Sequence, residues 1–154
     1  MNTTDTISEL RSLAVAAGDV ITLLGYYEKG DKPAIIYYFK EGNFVDDGGS
    51  VIVPSNPPLN GAWIAIFSNE VFIEDFGVSE TNPNNSQSIL NAIKMNKKLI
   101  SKENKKYLIN STLNINGADI DLKLGKNTVF YSVPITTSGL EAKKVIHWCI
   151  WKLF

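Results

Sequence analysis

The chain is poor in the residues that carry most protein chemistry. It has one cysteine, Cys149, and one histidine, His147. A lone cysteine excludes an intrachain disulfide framework and suits a reducing cytoplasm. Zinc takes about four ligands, and these two soft ones stand alone, so no metal is expected. A Cys–His nucleophile pair needs a third group to orient the base, and none lies near them in sequence. Both read as buried or interface side chains. No GxxxxGK followed by Ser or Thr, no GxGxxG and no HExxH occurs. Nucleotide, dinucleotide and zinc-protease readings therefore lose their usual support, and no cofactor is expected. Lys and Arg number 15 against 16 Asp and Glu, a net charge of -1. Nucleic-acid binders carry a basic excess, so none is expected as a partner. No apolar run approaches the roughly 20 residues that cross a bilayer, so no membrane insertion is expected. The start, MNTTDTISEL, has neither a basic nor an apolar segment, so no signal peptide is expected.

What is present is ordinary globular material. The 154 residues are 44% hydrophobic and 20% charged, enough for one good core or two small ones. Residues 7–17 place Ile7, Leu10, Leu13 and Ala14 at helical spacing, with Asp5 or Thr6 as N-cap and Gly18 as stop. Then come DVITLLGYY, DKPAIIYYFK, GSVIVP and GAWIAIF. Each is short, β-branched or aromatic, and bounded by turn residues. Antiparallel strands are expected, with turns at 30–33, 46–49 and 56–61.

The style changes near Val71. VFIEDFG reads as one more strand and SETNPNNS as a polar loop. Asn85 or Ser86 then caps a helix over 86–97, with Ile89, Ala92 and Ile93 as its apolar stripe. KLIS, KYLINSTLNI, ADIDLKL and NTVFYS follow as short strands about every ten residues, a spacing that suits solenoid coils. The expected class is mainly β with short helices (α+β). Residues 1–70 form a small antiparallel β module with an N-terminal helix. Residues 71–154 form a helix cap, the first β-helix coil or coils and an apolar C-terminal tail.

The candidate chemistry is thin. Glycoside hydrolysis needs two carboxyls facing one bond. Asp46 and Asp47 precede two glycines and read as a turn. Glu74 and Asp75, placed on a strand end, would point to opposite faces. Asp119 and Asp121 share a strand face, but calcium takes six or more oxygens and no third acid is near. No same-face carboxylate pair beside aromatics is found. Lys94, Lys97, Lys98, Lys102, Lys105 and Lys106 form the basic cluster and read as a solvated helix face and hairpin. Of Tyr26, Tyr27, Tyr37, Tyr38 and Phe39, alternation sends one of each tyrosine pair inwards. The others fill an interface or stack on sugar rings. The tail 144–154 carries Trp148, Trp151 and Phe154. Such an exposed patch would aggregate, so these three are the candidate interface residues. They cap an open coil or pack on sister chains.

Several of these pieces resemble a known module. LeuArgSerLeu (10–13), LeuLeuGlyTyrTyr followed by GlyAsp (23–31), TyrTyrPhe (37–39), AspAspGlyGlySerValIleValPro (46–54) and GlyAlaTrpIle (61–64) occur in order and resemble the virion-proximal module of bacteriophage tail spikes. AspPheGlyVal (75–78) resembles the Asp-Phe-Gly-Ala that opens their pectate-lyase-like right-handed β-helix. The resemblance covers roughly residues 7–131. The family's usual Gly-Asp-Gly and Asp-Asp-Thr stretch is replaced here by SETNPNNS. Its glycan-cleaving carboxylates lie on later coils, so no catalytic residue carries over. The resemblance implies a non-catalytic structural virion or prophage protein, made in the bacterial cytoplasm. It would be a homotrimer and bind other phage tail or head proteins, with host surface glycan a further partner. The alternative is a carbohydrate-binding or truncated polysaccharide-degrading protein.

Overall fold

The computed structural model describes residues 2–55, 60–111, 113 and 120–132, and the backbone of 144–146. Helix α1 (Ile7–Ser12) starts where Thr6 holds an extended conformation and its hydroxyl accepts the Glu9 N–H at 3.2 Å. The Glu9 carboxylate reaches back beyond the cap to the Asp5 N–H at 2.9 Å, satisfying a donor one residue before the N-cap. The helix is shorter than its expected span of 7–17. Leu13 leaves it at ψ 142°. The Ser12 hydroxyl bonds back to the Ser8 carbonyl at 2.9 Å, a bond that bends helices and slightly destabilises them. Val15 is buried outside the helix. Gly18, at φ +82°, turns the chain into the next strand instead of ending the helix.

Strands β1 (Asn2–Thr4), β2 (Val20–Leu23), β3 (Ile35–Glu41), β4 (Val51–Ile52) and β5 (Gly61–Ile66) form one sheet in the order β1-β2-β3-β5-β4. The pairings are antiparallel, as expected, except that β1 lies parallel to β2. AsnThrThr has no apolar alternation, so nothing in its composition announces that strand. Most of the turn expected at 56–61 lies outside the described residues. Period-two alternation in β3 sends Ile35, Tyr37 and Phe39 inwards. They join Leu10, Leu23, Ile52 and Trp63 in the first core. Phe39 meets Trp63 edge to face at 5.5 Å.

A second core holds Val71, Ile73, Phe76, Ile89, Leu99, Tyr107 and Phe130. It is built from stacked coils. β6 (Glu70–Phe72), β7 (Lys98–Ile100) and β9 (Leu122–Lys123) pair in parallel, so Val71, Leu99 and Leu122 stand in one ladder. The Leu99 N–H donates to the Asp121 carbonyl at 2.7 Å, tying β7 to the residue just before β9. β8 (Lys106–Leu108) and β10 (Val129–Ser132) also pair in parallel, placing Tyr107 beside Phe130. Between the two faces, Asn127 donates to Asn104 at 2.9 Å. The two asparagines hold positive φ, 59° and 57°, a conformation asparagine tolerates.

Two expectations change here. VFIEDFG is a strand only to Phe72; Ile73–Phe76 wind into a 3-10 turn closed by Gly77 at φ 81°. The Asp75 carboxylate favours the change by accepting the Phe72 N–H at 3.2 Å. Helix α2 (Ser86–Ile93) also stops earlier than 97, as Asn96 adopts φ 49°. Asn85 holds the N-cap position but makes no cap bond. Its buried amide instead joins Ser79 to the Leu108 carbonyl.

No described helix is long and apolar enough to cross a membrane. β11 (Lys144–Ile146) pairs antiparallel with β10. His147, Trp148, Cys149, Trp151 and Phe154 lie outside the described residues.

Candidate functional site

The two cores meet through side chains far apart in sequence. The Tyr27 hydroxyl donates to the Gly77 carbonyl at 2.8 Å. Lys102 Nζ donates to the Asp31 carbonyl at 2.6 Å, and Asn91 to the Asp47 carbonyl at 2.7 Å. At the centre lies the ion pair of Lys32 and Asp75, 2.9 Å apart with side chains 0% and 6% exposed.

The acidic candidates fall into structural roles. Asp46 accepts Gly48 and Val53 N–H groups and is gripped by both Arg11 guanidinium nitrogens. Burial works to raise its carboxyl, but Arg11 and these hydrogen bonds together hold it below the usual range. Asp47 accepts from Gly49 and Val51, each at 2.9 Å. These are the turn bonds expected of the pair. Glu74 and Asp75 correct the expectation of opposite strand faces. Both sit in the 3-10 turn and both are buried, 5% exposed each. Glu74 Oε1 accepts the Tyr107 hydroxyl and, at 2.8 Å, the Lys102 N–H. Its Oε2 is hidden from solvent and has no partner among the described residues. Asp119 lies outside the described residues. Among the described residues no group of three or more His, Cys, Asp or Glu could hold a metal.

The lysine cluster is paired rather than a bare solvated face. Lys98 meets Glu70, Lys105 meets Glu80 at 2.8 Å, and Lys97 donates to the Ser68 carbonyl at 3.0 Å. In β3 Tyr37 is buried and Tyr38 half-buried; in the loop after β2 Tyr26 is half-buried and Tyr27 52% exposed.

Between the cores lies a cleft of about 360 Å³, walled by Tyr26, Tyr27, Glu74, Glu80, Lys105 and Tyr107 among others. Carboxylates and tyrosines thus share its lining, but Glu80 is already bonded to Lys105 and to the Lys106 N–H. Glu74 and Glu80 come from the turn and loop after β6, and the tyrosines from the loop after β2 and from β8. No local motif links them, and only the packing of the two cores brings them together.

Burial raises the Glu74 carboxyl above the usual range, and the Tyr107 and Lys102 bonds only partly offset it. A raised folded value means the stabilising contribution is present below the unfolded value near 4.5 and is lost as pH rises through the folded one. Glu74→Gln removes that dependence. The melting temperature of the variant, relative to the parent chain, is expected to climb between acid and neutral pH. A gap that stays constant across that range would show that Glu74 titrates alike in the folded and unfolded chain.

Residues 3–68 match the family model described as the phage tail protein small four-stranded beta-sheet domain. The chain is 36% identical over 61 residues to a capsule KN4-specific depolymerase of Klebsiella phage KN4-1, a match covering 40% of this chain and 7% of the depolymerase. Its fold is similar to that of tailspike protein gp49 of Acinetobacter baumannii bacteriophage Fri1, a capsular polysaccharide depolymerase. That TM-score is 0.58 at 14% identity, over 96% of this chain and 28% of the other. It is also similar to Pantoea stewartii WceF, a glycan biofilm modifying enzyme with a tailspike-like parallel β-helix. There the TM-score is 0.65 at 11% identity, over 84% and 21%. The chain thus spans a small part of each relative's length. Residues 3–68 are thus similar to a phage tail β-sheet domain, and the fold of the chain is that of the tailspike parallel β-helix proteins.

Proposed function

We propose that the chain is a non-catalytic structural module of a phage tail, a virion component that assembles with copies of itself, as a trimer, and with other tail or head proteins. Residues 1–70 form the docking unit in this reading, and residues 71–154 start the β-helix. The observation that carries it is the outer face of the first sheet. Val20, Ile36 and Ile66 point outwards there, 46%, 36% and 55% exposed, and Ile36 pairs directly with Ile66. A contiguous apolar surface of this kind marks a contact with another protein. Trp148, Trp151 and Phe154 are part of the proposal as subunit-contact residues. Asp46, Asp47 and Asp75 serve turns or an ion pair, which supports a structural role for these three acids. Host glycan would be met by the assembled spike.

Light scattering after size exclusion tests the reading. The purified chain is expected at three times 17.0 kDa, and Ile66→Lys is expected to lower that mass. A parent chain at 17.0 kDa would overturn the trimer.

A further inference from the structure

We propose that Lys32 and Asp75 join in an intramolecular amide, a covalent strap across the junction of the two cores that closes after the chain has folded. The pair has the features such a condensation requires. Lys32 Nζ lies 2.9 Å from Asp75 Oδ1, so the carboxyl carbon is one bond beyond contact. Both side chains are hidden, 0% and 6% exposed. They come from different units, the loop before β3 and the 3-10 turn after β6. Each is held in place before reaction. The Pro33 carbonyl accepts another Nζ proton at 3.1 Å, and Lys102 Nζ fixes the carbonyl of the preceding residue, Asp31, at 2.6 Å. The Phe72 N–H donates to Asp75 Oδ2 at 3.2 Å. Groups held in contact react without the entropy loss of an encounter.

The two carboxyl oxygens take separate roles. Burial raises the Asp75 carboxyl although Lys32 opposes the rise, which brings the neutral acid closer. Nζ passes one proton to Oδ1, leaving an uncharged amine beside an uncharged carboxyl. A desolvated lysine amine is a competent nucleophile. Its lone pair attacks Cγ, and the Cγ–Oδ2 π pair moves onto Oδ2, where the Phe72 N–H meets the developing charge. A second Nζ proton passes to Oδ1. Oδ1 then leaves as water, the Cγ–Oδ2 double bond re-forms, and Nζ keeps one hydrogen as an ordinary amide. No further reactant enters, and the closed site keeps solvent from reversing the step. The product replaces a buried ion pair, which carries a desolvation penalty, with a neutral amide. It also gives the junction a second covalent connection beside the chain between β5 and β6.

The inference is independent of the assembly reading, because the pair lies within one chain. The test is the mass of the whole chain at intervals after refolding, followed by a tryptic map. The folded chain is expected to lose one water over days at neutral pH. Peptides 30–40 and 41–94 are then expected to run as one branched species joined through Lys32 and Asp75. Chain kept in urea is expected to hold its full mass. The melting temperature is expected to rise with the linked fraction, by on the order of 10 °C at completion. Lys32→Arg keeps the cation and is expected to stay at full mass. Folded parent chain that keeps its full mass, or a link through another lysine, would overturn the proposal. So would a lost water with the two peptides still separate, the mark of an imide at Asp47–Gly48.

Discussion

Lys32→Met is expected to destabilise the chain by about 3–5 kcal/mol, because it strands a buried carboxylate. Lys32 Nζ lies 2.9 Å from Asp75 with its side chain wholly hidden. At this chain length the loss lowers the melting temperature by on the order of 10 °C. Burial already raises the Asp75 carboxyl, and Lys32 opposes the rise. Without Lys32 the carboxyl rises further, so stability is lost as pH increases through the new value. The deficit is therefore expected to be larger in mildly alkaline than in mildly acidic buffer. Lys32→Met with Asp75→Asn is expected to recover part of the loss. It removes the buried charge and keeps an acceptor for the Phe72 N–H. Calorimetry of the three proteins decides the matter: a single variant within about 1 kcal/mol of the parent, or a double variant no better than the single, would mean that the pair is not buried as described.

Gly77→Ala carries the second large effect. Gly77 sits at φ +81°, and a Cβ there would meet the Tyr26 ring at 2.7 Å. The left-handed backbone costs an alanine about 1 kcal/mol and the overlap about 1–3 kcal/mol more. A loss of about 2–4 kcal/mol is expected in a urea melt, together with loss of order at Tyr26 and Tyr27. Gly18→Ala is the control, since φ is +82° but nothing lies within 4 Å. If the two variants lose the same stability, packing on Tyr26 contributes nothing.

The local elements are legible in the sequence because their cues are local. Alternation in residues 35–40, the Thr6 cap and the paired aspartates at 46 and 47 each act within a few residues. The stops of α1 and α2 are harder to see. They depend on Ser12 bonding back to Ser8 and on Asn96 taking a left-handed turn. The cleft is not legible. Tyr27, Glu74 and Tyr107 are separated by tens of residues, and nothing local distinguishes Glu74 from a surface glutamate. One longer-range signal is present in the residues themselves. Leu99 and Leu122, Asn104 and Asn127, and Tyr107 and Phe130 are paired across the coils at one constant spacing. A search for repeats at that period, rather than for strands at half of it, sets the coil register.

That constant register bears on how the chain acquires its shape. Once β7 and β8 are seated, they display an edge of backbone groups and an asparagine at the corner, which fit the next stretch of chain in one alignment only. Leu122 fits onto Leu99, Asn127 onto Asn104, and Phe130 onto Tyr107. In the finished fold the earlier coil therefore presents the edge on which the later one pairs. Each coil thus pairs with the one before it in sequence, so the order of contacts along the solenoid is the order of the chain.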